Sequence, residues 1–483
     1  MTEWTHVDDL FVDGRWTPVL GTDRLEVTDP ARGDVWGSVP QANPADLDVV
    51  VGAARAAFDT GPWPRMRAAD RAEILLRAAD EIEKRSAEIS TTVTRENGSP
   101  IAETSGAAAN AAGLFRAVAG LAEHLDREDV RPFPSGENET LVRRDPVGVC
   151  ALIAPWNFPI NLVAVKLAPA LLAGCTAVIK PAESTPLSIR HVVEALDAAG
   201  VPPGVVGLVT GDGAVGDALV RHPGVDKVAF TGSTGVGRKI AAACGELLRP
   251  VTLELGGKSA AIVLDDADLD HLASVLIRSC MRNTGQTCYI STRVLAPRSR
   301  YEEIVDVIAR TISAAPVGDP TDPATVFGPV ASERQRDIVA GYLESARAEG
   351  ARVVVGGSVL DERPGSFVEP TVLADVTESM TVAREEVFGP VLVVMPYEDV
   401  DDAIRIANAT PFGLGGIVFG TDTTRAQEVA ERIDTGSVGI NFFASNHAAP
   451  FGGRHDSGLG VEYGVEGLEQ YVTFKSIHRR RVD

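Results

Sequence analysis

A chain of 483 residues exceeds what one small core needs, and at roughly 100–200 residues per domain it should divide into two or three domains. Hydrophobic residues make up 45% of it and charged residues 23%, an ordinary balance for a soluble globular protein. The net charge is −22, from 45 basic against 67 acidic side chains, which disfavours nucleic acid and anionic membranes because phosphate surfaces require clustered Lys and Arg.

The N-terminus, MTEWTHVDDLF, is acidic and lacks a basic stretch followed by an apolar core, so no signal peptide is expected. The first forty residues read as short strands joined by turns, with FVDGRW carrying an Asp-Gly hairpin signal. Residues 44–125 have helical periodicity, as in DRAEILLRAADEIEKRSAEI. Residues 126–146 are polar and contain proline, which suggests an arm or linker.

From Val147 the pattern alternates: VCALIA, TAVIK, GVVGLVT, DKVAFT and VTLEL as strands, with helices between them. Such alternation implies a parallel sheet with helices on both faces. Residues 147–179 are long and mostly apolar, but Pro155, Asn157, Pro159, Asn161, Lys166 and Pro169 interrupt them, so buried strand, turn and helix are expected rather than a membrane span. A second alternating region runs from SAAIVL to GSVGINF. The end, GLEQYVTFKSIHRRRVD, reads as an exposed strand and tail, its HRRR cluster solvated or in contact with another subunit.

The five cysteines are Cys150, Cys175, Cys244, Cys280 and Cys288. They are odd in number and form no C-x-x-C pair, so neither a disulfide framework nor a structural metal site is expected, and a reducing, cytoplasmic setting fits. Cys280 and Cys175 sit among apolar neighbours. Cys288, in NTGQTCYI, is framed by polar residues, as an accessible reactive thiol would be.

Three other segments offer chemistry. FTGSTGVG follows a strand and opens a helix, which presents free N–H groups and a positive helix end to an anion. Its spacing matches neither G-x-G-x-x-G nor a P-loop, and a plain tight turn explains it as well. In AVIKPAESTP, Lys180 and Glu183 lie just past a strand's carboxyl end, where open α/β sheets bind ligands; a surface ion pair is the plainer reading. VTLELGGKSA sets Glu254 in an apolar strand end, where its pKa should rise as suits a general base, unless Lys258 pairs with it.

Together these segments closely resemble the aldehyde dehydrogenase superfamily. The resemblance spans essentially the whole chain, in order: PWNFP (155–159), KPAESTP (180–186), FTGSTGVG (230–237), LELGGK (253–258), GQTC (285–288), EEVFGP (385–390) and PFGGRHDSG (450–458). LELGGK and GQ-x-C in register are highly specific. The fold implied is α/β, a Rossmann-like cofactor domain (1–125 and 147–257) with an α/β catalytic domain (258–467). A small β oligomerisation arm (126–146 and 468–483) would bridge a homodimer or homotetramer.

The resemblance also implies roles. Cys288 would be the nucleophile, Asn157 with the cysteine N–H the oxyanion donor, and Glu254 the base that activates hydrolytic water. Lys166 and Glu462 match a proton relay found in some members. NAD, with NADP possible, would be held by Ala154, Pro155, Trp156, Lys180, Glu183, Gly213, Phe230, Gly232, Ser233, Val236, Leu255, Gly256, Glu386 and Phe388. Glu183 favours NAD, because a 2′-phosphate would meet a carboxylate there. Gly235 stands where many members carry glutamate, and Arg454-His455 where a lysine is common. Tunnel positions fall on Phe158, Leu162, Val165, Thr287, Tyr289 and Phe451, a mostly apolar set. Val165 occupies the place of an arginine in succinate-semialdehyde enzymes, so an uncharged aliphatic or aromatic aldehyde is expected. Two rivals keep the fold: a CoA-acylating dehydrogenase, against which Glu254 argues, and a non-catalytic structural protein.

Overall fold

The computed structural model describes residues 6–481. The first five residues, on which the reading of the N-terminus partly rests, and residues 482–483 at the end of the expected arm lie outside the described residues.

Two sheets organise the chain. The first runs Arg15–Pro18, Asp9–Val12, Val206–Leu208, Thr176–Lys180, Val149–Ile153, Lys227–Thr231, Val251–Glu254, Gly458–Leu459. Its five middle strands are parallel. VCALI, TAVIK and KVAFT are buried at every position, which is why they read as unbroken apolar runs instead of alternating ones. The second sheet runs Arg352–Val355, Thr371–Ala374, Val391–Tyr397, Arg293–Pro297, Ala260–Val263, Gly416–Phe419, Gly439–Ile440.

The parallel expectation holds for the centre of the first sheet and fails at its edges. Asp13 and Gly14 both have positive φ, 50° and 73°, as a two-residue hairpin turn requires. The hairpin they close lays Phe11 against Leu208 antiparallel. At the far edge Gly458–Leu459 pairs antiparallel with Leu253 and Glu254. A bare parallel edge exposes a row of unpaired N–H and C=O groups. Both edges are covered by segments distant in sequence, which local periodicity does not reveal.

Helix Pro159–Ala173 packs under the first sheet with Pro159 in its first turn, and it ends at Gly174, φ 96°. It is apolar on nearly every side because it is a core helix. No helix among the described residues is long and apolar enough to cross a membrane. A separate antiparallel sheet joins Asp129–Pro132, Asn138–Pro146 and Val472–Arg480. Most of the last strand faces outward, with Phe474 61% exposed.

Candidate active site

The loop after helix Leu269–Cys280 turns through Asn283, Thr284 and Gly285, with φ of 53°, 55° and 74°. A Cβ on Gly285 would lie 1.9 Å from the Gly389 carbonyl oxygen, so only glycine allows this approach. Gln286 is fully buried and pins the turn: its Nε2 donates to Asn283 O at 3.3 Å and its Oε1 accepts from Ala331 N at 2.9 Å. The turn leaves Cys288 partly exposed, while the other four cysteines are buried. Burial alone pushes the Cys280 thiol up to about 12.

Carboxylates dominate the charge that acts on Cys288. Desolvation in the cleft, then the carboxylates of Glu386 and Glu254, push its thiol well above the ordinary range. Asn157 sits on the turn between strand Val149–Ile153 and helix Pro159–Ala173. Its Nδ2 donates to Gln286 O at 3.0 Å, and its Oδ1 has no partner among the described residues.

Glu254 ends its strand between Thr231 and Gly458. It is 3% exposed, and neither carboxylate oxygen has a hydrogen-bond partner among the described residues. The structural pairing with Lys258 does not form: the Lys258 ammonium is likewise buried and without a hydrogen-bond partner. Burial, then Glu462, raise the Glu254 carboxyl well above its ordinary value, and Lys166 only partly offsets this. Lys166 Nζ lies 2.5 Å from both Glu462 Oε1 and Thr231 Oγ1, so that buried pair lies beside the base.

A cleft of about 670 Å³ opens at the carboxyl ends of the parallel strands. Pro155, Trp156, Asn157, Gly232, Ser233, Leu255, Gly256, Cys288, Glu386 and Phe388 line it. Ser233 caps helix Thr234–Glu246 and accepts from Val236 N at 3.4 Å, which sets a positive helix end at the cleft wall. A Cβ on Gly256 would meet the Glu386 carboxylate at 2.4 Å, and Gly257 N donates to that carboxylate at 3.0 Å. Burial holds Glu386 up at about 7. Glycines that let backbone and carboxylate close in, a helix N-terminus and an edge-to-face Trp156–Phe388 corner (5.3 Å between ring centroids) suit an extended anionic dinucleotide.

Ala154, Lys180, Glu183, Gly213, Phe230 and Val236 stand outside that lining. Lys180 is not in a surface ion pair: it is buried, donates to Pro181 O at 3.1 Å, and is pushed down to about 8 by burial despite Glu183 and Asp212. Gly213 opens helix Gly213–Arg221, capped by Asp212. Ala154 N is committed to Lys180 O at 3.2 Å. Sequence reasoning missed Thr231 and Gln335 in the lining. Gln335 Nε2 donates to Val387 O and Phe388 O; a lone glutamine in a surface-patterned helix gave no signal.

A second cavity is lined by Phe158 and Tyr289, the residues that directly follow Asn157 and Cys288 of the first cleft. Of the expected tunnel set, Phe158, Leu162 and Tyr289 line it. Val165 does not: it is 3% exposed and packs in the core. Its helix is apolar all round, so periodicity cannot tell which face meets the cavity. Thr287 is also buried, its Oγ1 donating to Arg282 O at 3.2 Å. Phe451 stands edge-on behind Tyr289 and Tyr463, at 6.2 and 6.0 Å.

The wall is more polar than the expected set. Asn110, Asn161, Arg278, Arg282, Ser445 and His447 join it. Arg282 is committed, its guanidinium bound to Glu103 and to the Tyr289 hydroxyl and lying over the Phe158 ring. Arg454 and His455 both bind Asp434 at the surface, away from the cleft lining.

The profile of the aldehyde dehydrogenase family matches residues 16–477. Geranial dehydrogenase of Castellaniella defragrans is 49% identical over 470 residues, covering 97% of this chain and 98% of that protein. The crystal structure of a Mycobacterium tuberculosis aldehyde dehydrogenase complexed with NAD+ superposes with a TM-score of 0.94 at 43% identity, covering 97% of each chain. A mutant of aldehyde dehydrogenase C from Pseudomonas syringae, solved with NAD+ and octanal, gives 0.94 at 38% identity, covering 98% of this chain and 96% of that one.

Proposed function

The chain belongs to the aldehyde dehydrogenase family, and from that premise we propose that it oxidises an uncharged aliphatic or aromatic aldehyde to the carboxylic acid with NAD. The observation that carries this reading is the cleft that Cys288 and Asn157 line together, with the unpartnered Glu254 carboxylate close by.

The partly exposed Cys288 thiol releases its proton to solvent as its sulfur bonds to the aldehyde carbon, and the carbonyl oxygen takes up negative charge. Asn157 Nδ2, already oriented by Gln286 O, has a second hydrogen to give that oxygen, and the Cys288 N–H gives another. NAD, when bound, accepts the hydride that leaves the carbon. The chain then carries a thioester on Cys288. Glu254 takes a proton from water as the water oxygen bonds to the acyl carbon; the C–S bond breaks and the acid leaves. A desolvated carboxylate with both oxygens free is suited to that step. Lys166 and Glu462 are placed to pass the proton onward.

Trp156, Ser233, Gly256, Glu386 and Phe388 would hold the dinucleotide in the cleft, with Lys180 and Glu183 beyond it toward the adenosine ribose. The uncharged substrate fits a cavity in which Arg282 is neutralised by Glu103 and the other arginine, Arg278, is solvent-exposed. It also fits relatives named for geranial and solved with octanal. Residues 1–125 and 147–257 would serve as the cofactor domain and 258–467 as the catalytic domain. The arm (126–146 and 468–483) would join subunits of a homodimer or homotetramer, as the exposure of Phe474 and Ile477 suits. Five free thiols fit a reducing cytoplasm.

A screen of aldehydes with NAD and NADP in parallel tests the reading. Long-chain or aromatic aldehydes with NAD should give the highest kcat/KM, and the product should be the free acid with or without CoA. Highest kcat/KM for succinate semialdehyde, or formation of acyl-CoA, would overturn it. Asn157→Ala should lower kcat about a hundredfold or more. Its melting temperature should change little, since the carboxamide makes a single hydrogen bond. Steady-state kinetics beside a thermal melt check this.

A further inference from the structure

Helix Ser86–Asn97 ends behind the cleft in two consecutive buried polar residues that line neither cavity. Glu96, 0% exposed, accepts from Leu187 N at 2.9 Å and from Ser188 N at 3.3 Å. Those N–H groups open helix Ser188–Ala198, for which Leu187 supplies no side-chain cap, so the carboxylate does that work from another element. The loop it ties down is the one that follows Lys180 and carries Glu183.

Asn97, 1% exposed, reaches a different loop. Its Nδ2 donates to Trp156 O at 3.0 Å and Asn157 O at 3.3 Å, and its Oδ1 accepts from Ser99 N at 2.9 Å. Asn283 Nδ2 donates to the same Asn157 carbonyl at 3.1 Å, which ties the oxyanion turn to the cysteine turn. The helix end itself is locked: Gly98 has φ 77°, and a Cβ there would meet Pro329 Cγ at 2.7 Å and Pro30 Cγ at 2.9 Å. One rigid point therefore holds both loops.

We infer that Glu96 and Asn97 are positioning residues with separable tasks. Glu96 sets the loop that meets the adenosine end of the dinucleotide, and Asn97 sets the Trp156–Asn157 peptides so that the Asn157 amide meets the oxyanion. This rests on the function proposed above. A merely structural role would lower stability and shift cofactor binding and turnover together.

The test uses the full-length protein, with NAD binding read by tryptophan fluorescence, kcat at saturating substrates, thermal melting, and the rate of Cys288 alkylation by iodoacetamide. Glu96→Ala should weaken NAD binding about tenfold with kcat held within about twofold, and Glu96→Gln, which keeps one acceptor, should recover most of the affinity. Asn97→Ala should lower kcat on the order of a hundredfold while NAD affinity, touched only through the Trp156 carbonyl, falls no more than about threefold and the alkylation rate stays within about twofold. Asn97→Asp, isosteric but without the donors, should fail in the same way. Should an alanine variant not fold, Glu96→Leu, which also lacks the acceptor, and Asn97→Asp decide by the same split. Parallel changes in both constants, or none, would overturn the inference. A wild-type protein without aldehyde-dependent NADH formation would instead overturn the proposed function.

Discussion

Cys288→Ala should lower aldehyde-dependent NADH formation by at least about 10⁴-fold while leaving NAD binding close to wild type. The size of the loss follows from the lack of a substitute. Cys150, Cys175, Cys244 and Cys280 are buried, and Cys280, the nearest in sequence, is wrapped in the apolar core. The variant removes only a sulfur from the cleft wall, so Trp156, Ser233 and Glu386 keep their places in the cleft lining. A cofactor titration beside an initial-rate assay separates the two effects. Retained activity would mean that another group attacks the aldehyde.

Glu254→Gln should act later in the cycle. Removing a general base typically costs 10²–10⁴-fold, so steady-state turnover should fall by about that factor. The first turnover should survive, because thiol attack and hydride loss precede hydrolysis. The expected record is a burst of NADH matching the active sites, then a slow rate, with the acyl group found on Cys288 by intact-protein mass measurement. In wild type the base must be ionised to act. Its carboxyl is raised by burial and by Glu462, so turnover should rise with pH through a value well above the usual carboxylate range. The residual rate of Glu254→Gln should lack that limb. An unchanged steady state, or no burst, would remove Glu254 from the hydrolytic step.

Much of this was readable in the chain. The buried strands and their helices follow from apolar runs broken by Gly and Pro. The contrast between Cys280 and Cys288 follows from their neighbours. Specific motifs brought Asn157, Glu254 and Cys288 together long before geometry did. What stayed hidden depends on distance in sequence. The second cavity draws Asn110, Arg282, His447 and Tyr463 from four separate stretches, and no local pattern unites them. Val165 shows the opposite failure: a helix apolar on every side carries no mark of which face is open. The charge around Cys288 was hidden for the same reason, since Glu254 and Glu386 are far from it in the chain and act on it through space.

The edge strand Gly458–Leu459 bears on how the enzyme can breathe. It pairs with the strand that ends in Glu254, and Ser457 reinforces the seam: its carbonyl accepts from Leu255 N at 2.9 Å, and its hydroxyl donates to Gly256 O at 2.7 Å. Any opening motion that moved residues 457–459 away from the first sheet would tear this seam and uncover the strand that carries Glu254. The N-terminal half is therefore not closed without a segment from far along the chain. Cut at residue 257, it would present a naked strand edge tipped by an uncompensated acid, a template for sticking to its own copies.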